Sequence, residues 1–339
     1  MNPAQPHPGR RGLRILATLA IALPSAWGAL ALWYQLPGGP LARSAATSAW
    51  ALASAAAVVA VWRGRAKTAV VSVAAATFAL LLWWQNLQPS NLANWQDDVA
   101  QMTTGSVAGE RLTVRNVRNF AWRSDSDYTQ RWETRDYDLG QVRTADMILS
   151  YWTGPAIAHV IVSFGFRDGA QLAFSVEVRN RKGEEFSELG GLFREFNLSV
   201  IAADERDVVR VRTNVRGEDD YLYRINMPQP AVRALLLAYV AQANELAQKA
   251  QFYNTLTSNC TSIVYHMMSR IVGHLPLDYR LLLTGYLPGY VHDLGGLAPG
   301  RSLEELRALG RITARAKEAD QSGTFSADIR RGIPTGAEH

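Results

Sequence analysis

The chain contains almost no cysteine, and its first quarter contains no acidic residue. Cys260 is the only cysteine in 339 residues, which excludes intramolecular disulfides and cysteine-rich zinc sites. Residues 1–85 contain seven basic residues and no Asp or Glu, so 28 basic and 30 acidic residues remain in 86–339. The net positive charge therefore belongs to the N-terminal segment. The remainder lacks the basic patch that a nucleic-acid-binding surface requires.

Three uncharged apolar runs predict a bundle of three transmembrane helices. Each approaches or reaches the length of about 20 residues that spans a bilayer core, and tryptophans lie at the ends of the runs, as in an interfacial aromatic belt. A cleaved signal peptide is the alternative for the first run, but that run is long and two more follow it. The predicted spans are residues 15–34, 45–62 and 68–84.

The basic residues of the N-terminal segment predict its orientation. They cluster in a leader, residues 1–14, and between the second and third runs, at 63–67. The positive-inside rule places both clusters in the cytoplasm. Three spans then deliver residues 85–339 to the periplasmic side of a bacterial inner membrane.

Residues 85–339 have globular composition and predict an α+β domain, because most of the strands precede the helices. Arg167-Asp168-Gly169-Ala170 joins two β-rich runs, which is typical of a hairpin. Predicted strands are 112–117, 158–166, 171–179, 208–213 and 221–225, with 145–152 as strand or helix and 128–137 as loop or edge strand. Predicted helices are 230–250, one beginning near 260, and 303–316.

Cys260 is a candidate nucleophile at the start of a predicted helix. Ser258 and Asn259 are favoured N-cap types, and apolar residues with helical spacing follow. Unpaired N–H groups and the helix dipole lower the pKa of a thiol in the first turn, and the thiolate is the attacking form. The alternative is that Cys260 is a small buried apolar residue.

A cysteine nucleophile requires a base, usually histidine. His159 begins a predicted strand and is the best-placed candidate, although a strand histidine can also be purely structural. The other five histidines lie in the termini, in Pro- and Gly-rich loops, or on a different face of the Cys260 helix: His7, His339, His274, His292 and His266.

The predicted hairpin brings a carboxylate to the histidine. Matching the apolar faces of its strands places His159, Glu177 and Arg179 on one side. Glu177 would then orient the imidazole; the alternative is a solvent-exposed strand carboxylate. Opposing His159 to Glu177 requires a three-residue turn or a bulge near Gly169, because a two-residue loop would oppose His159 to Val178.

These segments resemble the Lnb N-terminal periplasmic domain family over most of residues 88–335. The motifs that carry the resemblance are Pro89-Ser90-Asn91, Trp95-Gln96-Asp97-Asp98-Val99-Ala100, Ser150-Tyr151-Trp152, Ile157-Ala158-His159, Ser163-Phe164-Gly165-Phe166, Phe174-Ser175-Val176-Glu177-Val178-Arg179, Asp204-Glu205-Arg206-Asp207, Tyr221-Leu222-Tyr223-Arg224 and Asn259-Cys260-Thr261.

The resemblance implies a permuted papain-like (NlpC/P60-type) fold, in which the histidine strand precedes the cysteine helix. It implies Cys260 as nucleophile and His159 as base. The family's namesake is a lipoprotein N-acyltransferase, which implies phospholipid and lipoprotein substrates.

Three functions remain open on the sequence. The first is a cysteine acyltransferase that moves a fatty acyl chain from phospholipid through a thioester to an amine, which an apolar groove facing the membrane would favour. The second is a cysteine peptidase or amidase acting on cell-envelope peptides, which an open polar cleft would favour. The third is a non-enzymatic scaffold, which a wide separation of His159 and Cys260 would favour. The sequence contains no phosphate-binding loop, dinucleotide motif or metal-ligand cluster, so we expect no cofactor.

Overall fold

The three predicted spans are helices in the structure, a computed structural model that describes residues 8–334. Residues 1–7 of the predicted leader and residues 335–339, and with them His7 and His339, lie outside the described residues. All three helices are long and apolar enough to cross a membrane. Each begins before the apolar run that predicted it, because a helix continues into flanking polar residues. The helices are α1 (Pro8–Gln35), α2 (Gly39–Trp62) and α3 (Ala66–Gln85).

The chain divides into two compact units. The first comprises the chain up to Pro89 together with Ser187–Glu195, and the second comprises Ser90–Phe186 and the chain from Phe196 onward. The second unit thus begins five residues after the predicted start of the periplasmic domain, and it omits one short internal segment.

That internal segment contains a short helix, α4 (Glu188–Leu192), and it contacts the C-terminal ends of α1 and α3. Gln35 Nε2 donates a hydrogen bond of 2.8 Å to the Phe193 carbonyl, and Arg194 Nη1 donates one of 2.8 Å to the Trp84 carbonyl. These bonds tie the segment after α4 to the ends of α1 and α3 through backbone carbonyls.

The second unit is built on a mixed eight-stranded sheet in the order β1-β2-β9-β8-β7-β6-β10, with β5 also paired to β2. All neighbours are antiparallel except β2 and β9. β3 and β4 form a separate two-stranded sheet. The strands are β1 (Thr104–Ala108), β2 (Arg111–Arg118), β3 (Ala121–Trp122), β4 (Tyr128–Thr129), β5 (Trp132–Asp138), β6 (Val142–Thr153), β7 (Ile157–Phe166), β8 (Gln171–Arg179), β9 (Asn197–Ala203) and β10 (Asp219–Arg224).

Helices cover both faces of this sheet, as an α+β domain requires. The predicted helix at 303–316 is interrupted, because Arg311 adopts an extended conformation and pairs with Tyr221. The helices of this unit are α5 (Glu205–Val208), α6 (Gln229–Gln248), α7 (Cys260–Val272), α8 (Leu287–Asp293), α9 (Leu303–Gly310), α10 (Thr313–Glu318) and α11 (Phe325–Asp328).

The predicted strand at 208–213 is wrong, because this segment is helical. Asp204 caps α5 by accepting the Arg206 N–H, and a π-helical turn, Val211–Arg216, follows. The β-branched valines indicated a strand, but the cap and the burial of Val208 and Val211 override that local preference.

The two faces of β7 and β8 pack into different hydrophobic clusters. Phe164 and Phe174 point toward α6, where Tyr239 contacts both rings. Ile161 and Ala173 point to the opposite face, which α10 and α11 cover. This alternation follows from the period of two along a strand. The register of the hairpin therefore determines which side chains of β7 and β8 lie opposite each other on one face.

A buried ion-pair network joins Arg330, two residues after α11, to β6 and α5. Arg330 Nε donates to Asp146 Oδ2 at 2.8 Å, and Arg330 Nη1 donates to Glu205 Oε2 at 2.7 Å. Both carboxylates have no exposed side-chain surface. Arg224 also bonds Asp146, and Ser163 Oγ donates to Glu205. The guanidinium is therefore the main counter-charge of a solvent-excluded carboxylate pair.

Candidate active site

Cys260 is the first residue of α7, as predicted, and its helix begins with a capping box. Asn259 Oδ1 accepts the N–H groups of Thr261 and Ser262, while Ser262 Oγ accepts the Asn259 N–H. The cap thereby satisfies the neighbouring donors of the first turn. Within the described part of the chain, the Cys260 N–H has no such partner, so it remains available to a ligand.

The hairpin between β7 and β8 has the odd register that the sequence required. Residues 167–169 form a three-residue loop, closed by a bond from the Phe166 N–H to the Ala170 carbonyl, with Gly169 at φ 89°. A left-handed residue at this position is usual for three-residue hairpins. The ladder runs from Gly165–Gln171 to Ile161–Ser175, and the same register opposes His159 to Glu177. The register prediction is confirmed.

His159 contacts two polar side chains of β8. Its Nε2 lies 2.6 Å from Ser175 Oγ and 3.2 Å from Glu177 Oε1, and Ser175 Oγ donates to Glu177 Oε1 at 2.6 Å. The predicted pairing with Glu177 is therefore present. Ser175, which was not predicted as a site residue, bridges the pair.

His159 and Cys260 meet where the β7–β8 ladder ends. α7 contacts both strands there, and the His159 side chain and the Val160 backbone lie close enough to the thiol to favour its ionised form. Since Nε2 faces Ser175 and Glu177, Nδ1 is the ring nitrogen left for the thiol proton. The closeness of His159 to Cys260 argues against a non-enzymatic scaffold, which a wide separation of these residues would favour.

The electrostatics favour an ion pair between these two side chains. Burial and the Arg212 charge oppose protonation of His159, but Glu177 and Cys260 outweigh them and raise the pKa of His159 to about 9. Burial opposes ionisation of Cys260, but its hydrogen bond to His159 and the imidazolium charge lower the pKa of the thiol. Glu177 also has a lowered pKa despite its burial, because His159 and Arg212 stabilise its charge. The arrangement therefore favours a thiolate beside an imidazolium.

This ion pair predicts thiol reactivity below the usual pKa of cysteine, about 8.5. Cys260 should react with iodoacetamide at pH 6–7 nearly as fast as at pH 9. In Glu177→Gln the imidazolium loses its counter-charge, the thiolate loses part of its stabilisation, and the reactivity curve should move to higher pH. Glu185→Gln is the control, because Glu185 is an exposed carboxylate in the segment that follows β8. This variant should leave the reactivity curve unchanged. Coincident curves for Glu177→Gln and the unmodified protein would contradict the ion pair.

Arg212 is a site residue that the sequence analysis missed. It lies on the π-helical turn that we had predicted as strand, and its Nη2 lies 3.7 Å from Glu177 Oε1. Its Nη1 donates to Glu218 Oε2 at 3.0 Å. Ser150 then bonds both Glu218 and Asp220. The guanidinium therefore places a positive charge beside the same Glu177 oxygen that His159 contacts, and π-helical turns are frequent at functional sites.

Arg179 shares the face of Glu177, as predicted, but has another role. Its guanidinium donates to the carbonyls of Val99 and Ala100 and to Asn91 Oδ1, and it lies over the Trp95 ring at 4.4 Å. It therefore anchors the N-terminal segment of the domain to β8.

Three other histidines within the described residues lie apart from the dyad. His266 is exposed beside Tyr265, and His274 is an exposed loop residue. His292 lies in the last turn of α8, not in a loop as predicted, and its Nε2 is 3.1 Å from the Arg301 carbonyl. Among residues 8–334, no group of three or more His, Cys, Asp or Glu side chains is arranged to hold a metal ion.

An apolar cavity of about 250 Å³ adjoins the dyad. It reaches Val160, the neighbour of His159 in β7, and Thr261, whose Oγ1 lies 3.9 Å from Sγ. Asn226 is the only amide side chain in its wall. The lining residues are Met147, Val160, Val162, Ile225, Asn226, Met227, Leu235, Thr261, Val264, Tyr265, Met268, Val272, Leu275, Leu281, Leu287, Tyr290, Val291, Leu294, Gly295 and Gly296.

Comparison with known proteins supports the resemblance drawn from the sequence. Residues 128–285, which contain Cys260, His159 and Glu177, match the family model described as the Lnb N-terminal periplasmic domain. No curated protein and no solved structure gives a significant match. With three apolar helices ahead of it, this domain fits an inner-membrane protein whose soluble part lies in the periplasm.

Proposed function

We propose, from the premise that residues 128–285 are a Lnb N-terminal periplasmic domain, that this membrane-anchored protein is a cysteine acyltransferase. It moves a fatty acyl chain from a phospholipid through a thioester on Cys260 to an amine such as a lipoprotein N-terminus. His159 is the acid and base, and Glu177 orients it. We also propose that Cys260, His159 and Glu177 act together on a permuted papain-like fold.

The observation that carries this proposal is the apolar cavity beside the thiol. A thiolate–imidazolium pair serves hydrolases and transferases alike, so the dyad by itself does not choose between them. A peptide substrate requires polar groups along the cleft to bond its backbone. The wall at Val160 and Thr261 continues into aliphatic and aromatic side chains, which suits an acyl chain and disfavours the peptidase alternative.

In the first half-reaction, the Cys260 thiolate attacks the carboxyl carbon of the phospholipid ester. The carbon–oxygen bond breaks, and the His159 imidazolium gives its proton to the departing alkoxide, which leaves as the hydroxyl of a lysophospholipid. The free Cys260 N–H is placed to stabilise the oxyanion of the tetrahedral intermediate.

In the second half-reaction, an amine attacks the thioester carbonyl. Neutral His159 takes the amine proton, the carbon–sulfur bond breaks, and the thiolate–imidazolium pair is restored. Glu177 keeps the imidazole in place through both steps, because it contacts ring atom Nε2, and Arg212 stabilises the charge of that carboxylate.

The test is covalent capture of the intermediate. The full-length protein, incubated with phosphatidylethanolamine vesicles and no acceptor, should gain the mass of one fatty acyl chain on Cys260, and lysophosphatidylethanolamine should appear in equal amount. Hydroxylamine should remove the added mass, since it cleaves thioesters. A protein that forms no adduct with lipid but cleaves envelope peptides would instead be the cysteine hydrolase.

A further inference from the structure

One face of α7 lies along the apolar cavity from the thiol end outward. Five of its residues line the wall at spacings of three or four: Thr261, Val264, Tyr265, Met268 and Val272. Such spacing keeps side chains on one helix face. The cavity is thus an elongated site that begins at Thr261, the residue next to Cys260, and follows the helix axis.

The opposite wall comes from a second helix. Leu287, Tyr290 and Val291 of α8 and Leu294, the residue that follows it, share the same spacing and also line the cavity. The sheet contributes Met147, Val160 and Val162. Leu287 and Tyr290 are buried, whereas Val272 and Leu294 are half exposed, so the inner part of the site is closed and its far end reaches the surface.

The length of this site matches one acyl chain of a bilayer. Thr261 to Val272 spans about 16 Å at the rise of an α-helix. Half of a hydrocarbon core, which is the depth of a single leaflet, is about 15 Å. A chain esterified at Sγ would therefore run along α7 with its methyl end near Val272 and Leu294.

Building on the proposed function, we infer that this cavity is a single-chain acyl site that selects long donors, and that Met268 and Val291 on its two walls set the chain length it accepts. Both lie beyond the thiol, where only a long chain would reach. Burial of each further methylene in the site adds binding energy, and that energy is lost when a bulky side chain fills the outer part.

The experiment compares a short and a long acyl donor on the same thiol. Full-length protein in detergent is mixed with p-nitrophenyl butyrate or p-nitrophenyl palmitate, and the acyl adduct on Cys260 is followed by mass. Met268→Trp should slow palmitoylation by about 10- to 100-fold, the range seen when an apolar pocket loses its fit to a substrate, and should leave butyrylation within about twofold. Val291→Trp should do the same from the other wall.

Arg270→Trp is the matched control, because it adds the same bulk to an exposed position of α7 and should change neither rate. A second measurement needs no variant: free palmitate should protect Cys260 of the unmodified protein from iodoacetamide, and acetate should not. Equal slowing of both donors in Met268→Trp, unchanged palmitoylation, or absence of protection would overturn the inference.

The outcomes separate this inference from the proposed function. A Cys260 that accepts butyrate but not palmitate contradicts the acyl site alone. A Cys260 that accepts neither donor contradicts thioester chemistry, and with it both proposals.

Discussion

Replacing His159 with alanine should slow acylation of Cys260 by about 10²- to 10⁴-fold, the usual contribution of a positioned acid and base. The loss has two sources. The thiol regains a higher pKa without the imidazolium, and the leaving alkoxide loses its proton donor. Cys260→Ala should abolish the adduct, and Cys260→Ser should be nearly as inactive because a hydroxyl keeps its proton at neutral pH.

The two residues should also act as one unit. The double variant with His159→Ala and Cys260→Ser should be no slower than its slower parent, since nucleophile and base lose their effect together. The measurement is the rate of adduct formation with a short-chain ester, with thermal unfolding as the folding control. Multiplicative losses in the double variant would show that His159 acts independently of Cys260.

The second large effect concerns stability. Arg330→Leu should lower the free energy of unfolding by about 3–5 kcal/mol, because it leaves buried carboxylates without their main counter-charge. Glu205 and Asp146 have no exposed side-chain surface, so water does not replace the guanidinium. Chemical denaturation of the full-length protein in detergent measures this change.

Arg331 is the matched control. It is adjacent in the chain, its side chain is 64% exposed, and it pairs with Asp328 at 3.5 Å. Arg331→Leu should cost less than about 1 kcal/mol, as exposed ion pairs do. Similar losses in the two variants would mean that burial does not decide the strength of these pairs.

The geometry of the dyad was largely accessible from the sequence, because it depends on local rules. Asn259 predicts a helix that starts at Cys260, and the alternation of β7 and β8 fixes which side chains share a face. A two-residue loop is incompatible with matching the apolar faces of the two strands. This conflict alone predicts a three-residue turn or a bulge near Gly169. Each of these predictions uses only residues that are close to one another in the chain.

The rest of the site was not accessible, because it depends on tertiary contacts. Arg212 lies in a segment whose valines favour a strand, and only its packing makes the turn π-helical. Ser175 is an ordinary strand serine until the imidazole lies 2.6 Å away. The cavity joins residues of α7 and α8 with strands more than 90 positions earlier in the chain, and no local pattern marks that meeting.

The three-residue hairpin loop has a consequence for how this protein can change in length. Surface loops usually tolerate insertion or deletion of single residues. At 167–169 a change of one residue would transfer every side chain of β8 to the opposite face, which would turn Glu177 and Ser175 toward α6 and expel Phe174 from beneath Tyr239. We therefore expect any active homologue or engineered variant to alter this loop only in steps of two residues. At this site, the length of the loop constrains the active geometry as strictly as the identity of a catalytic side chain does.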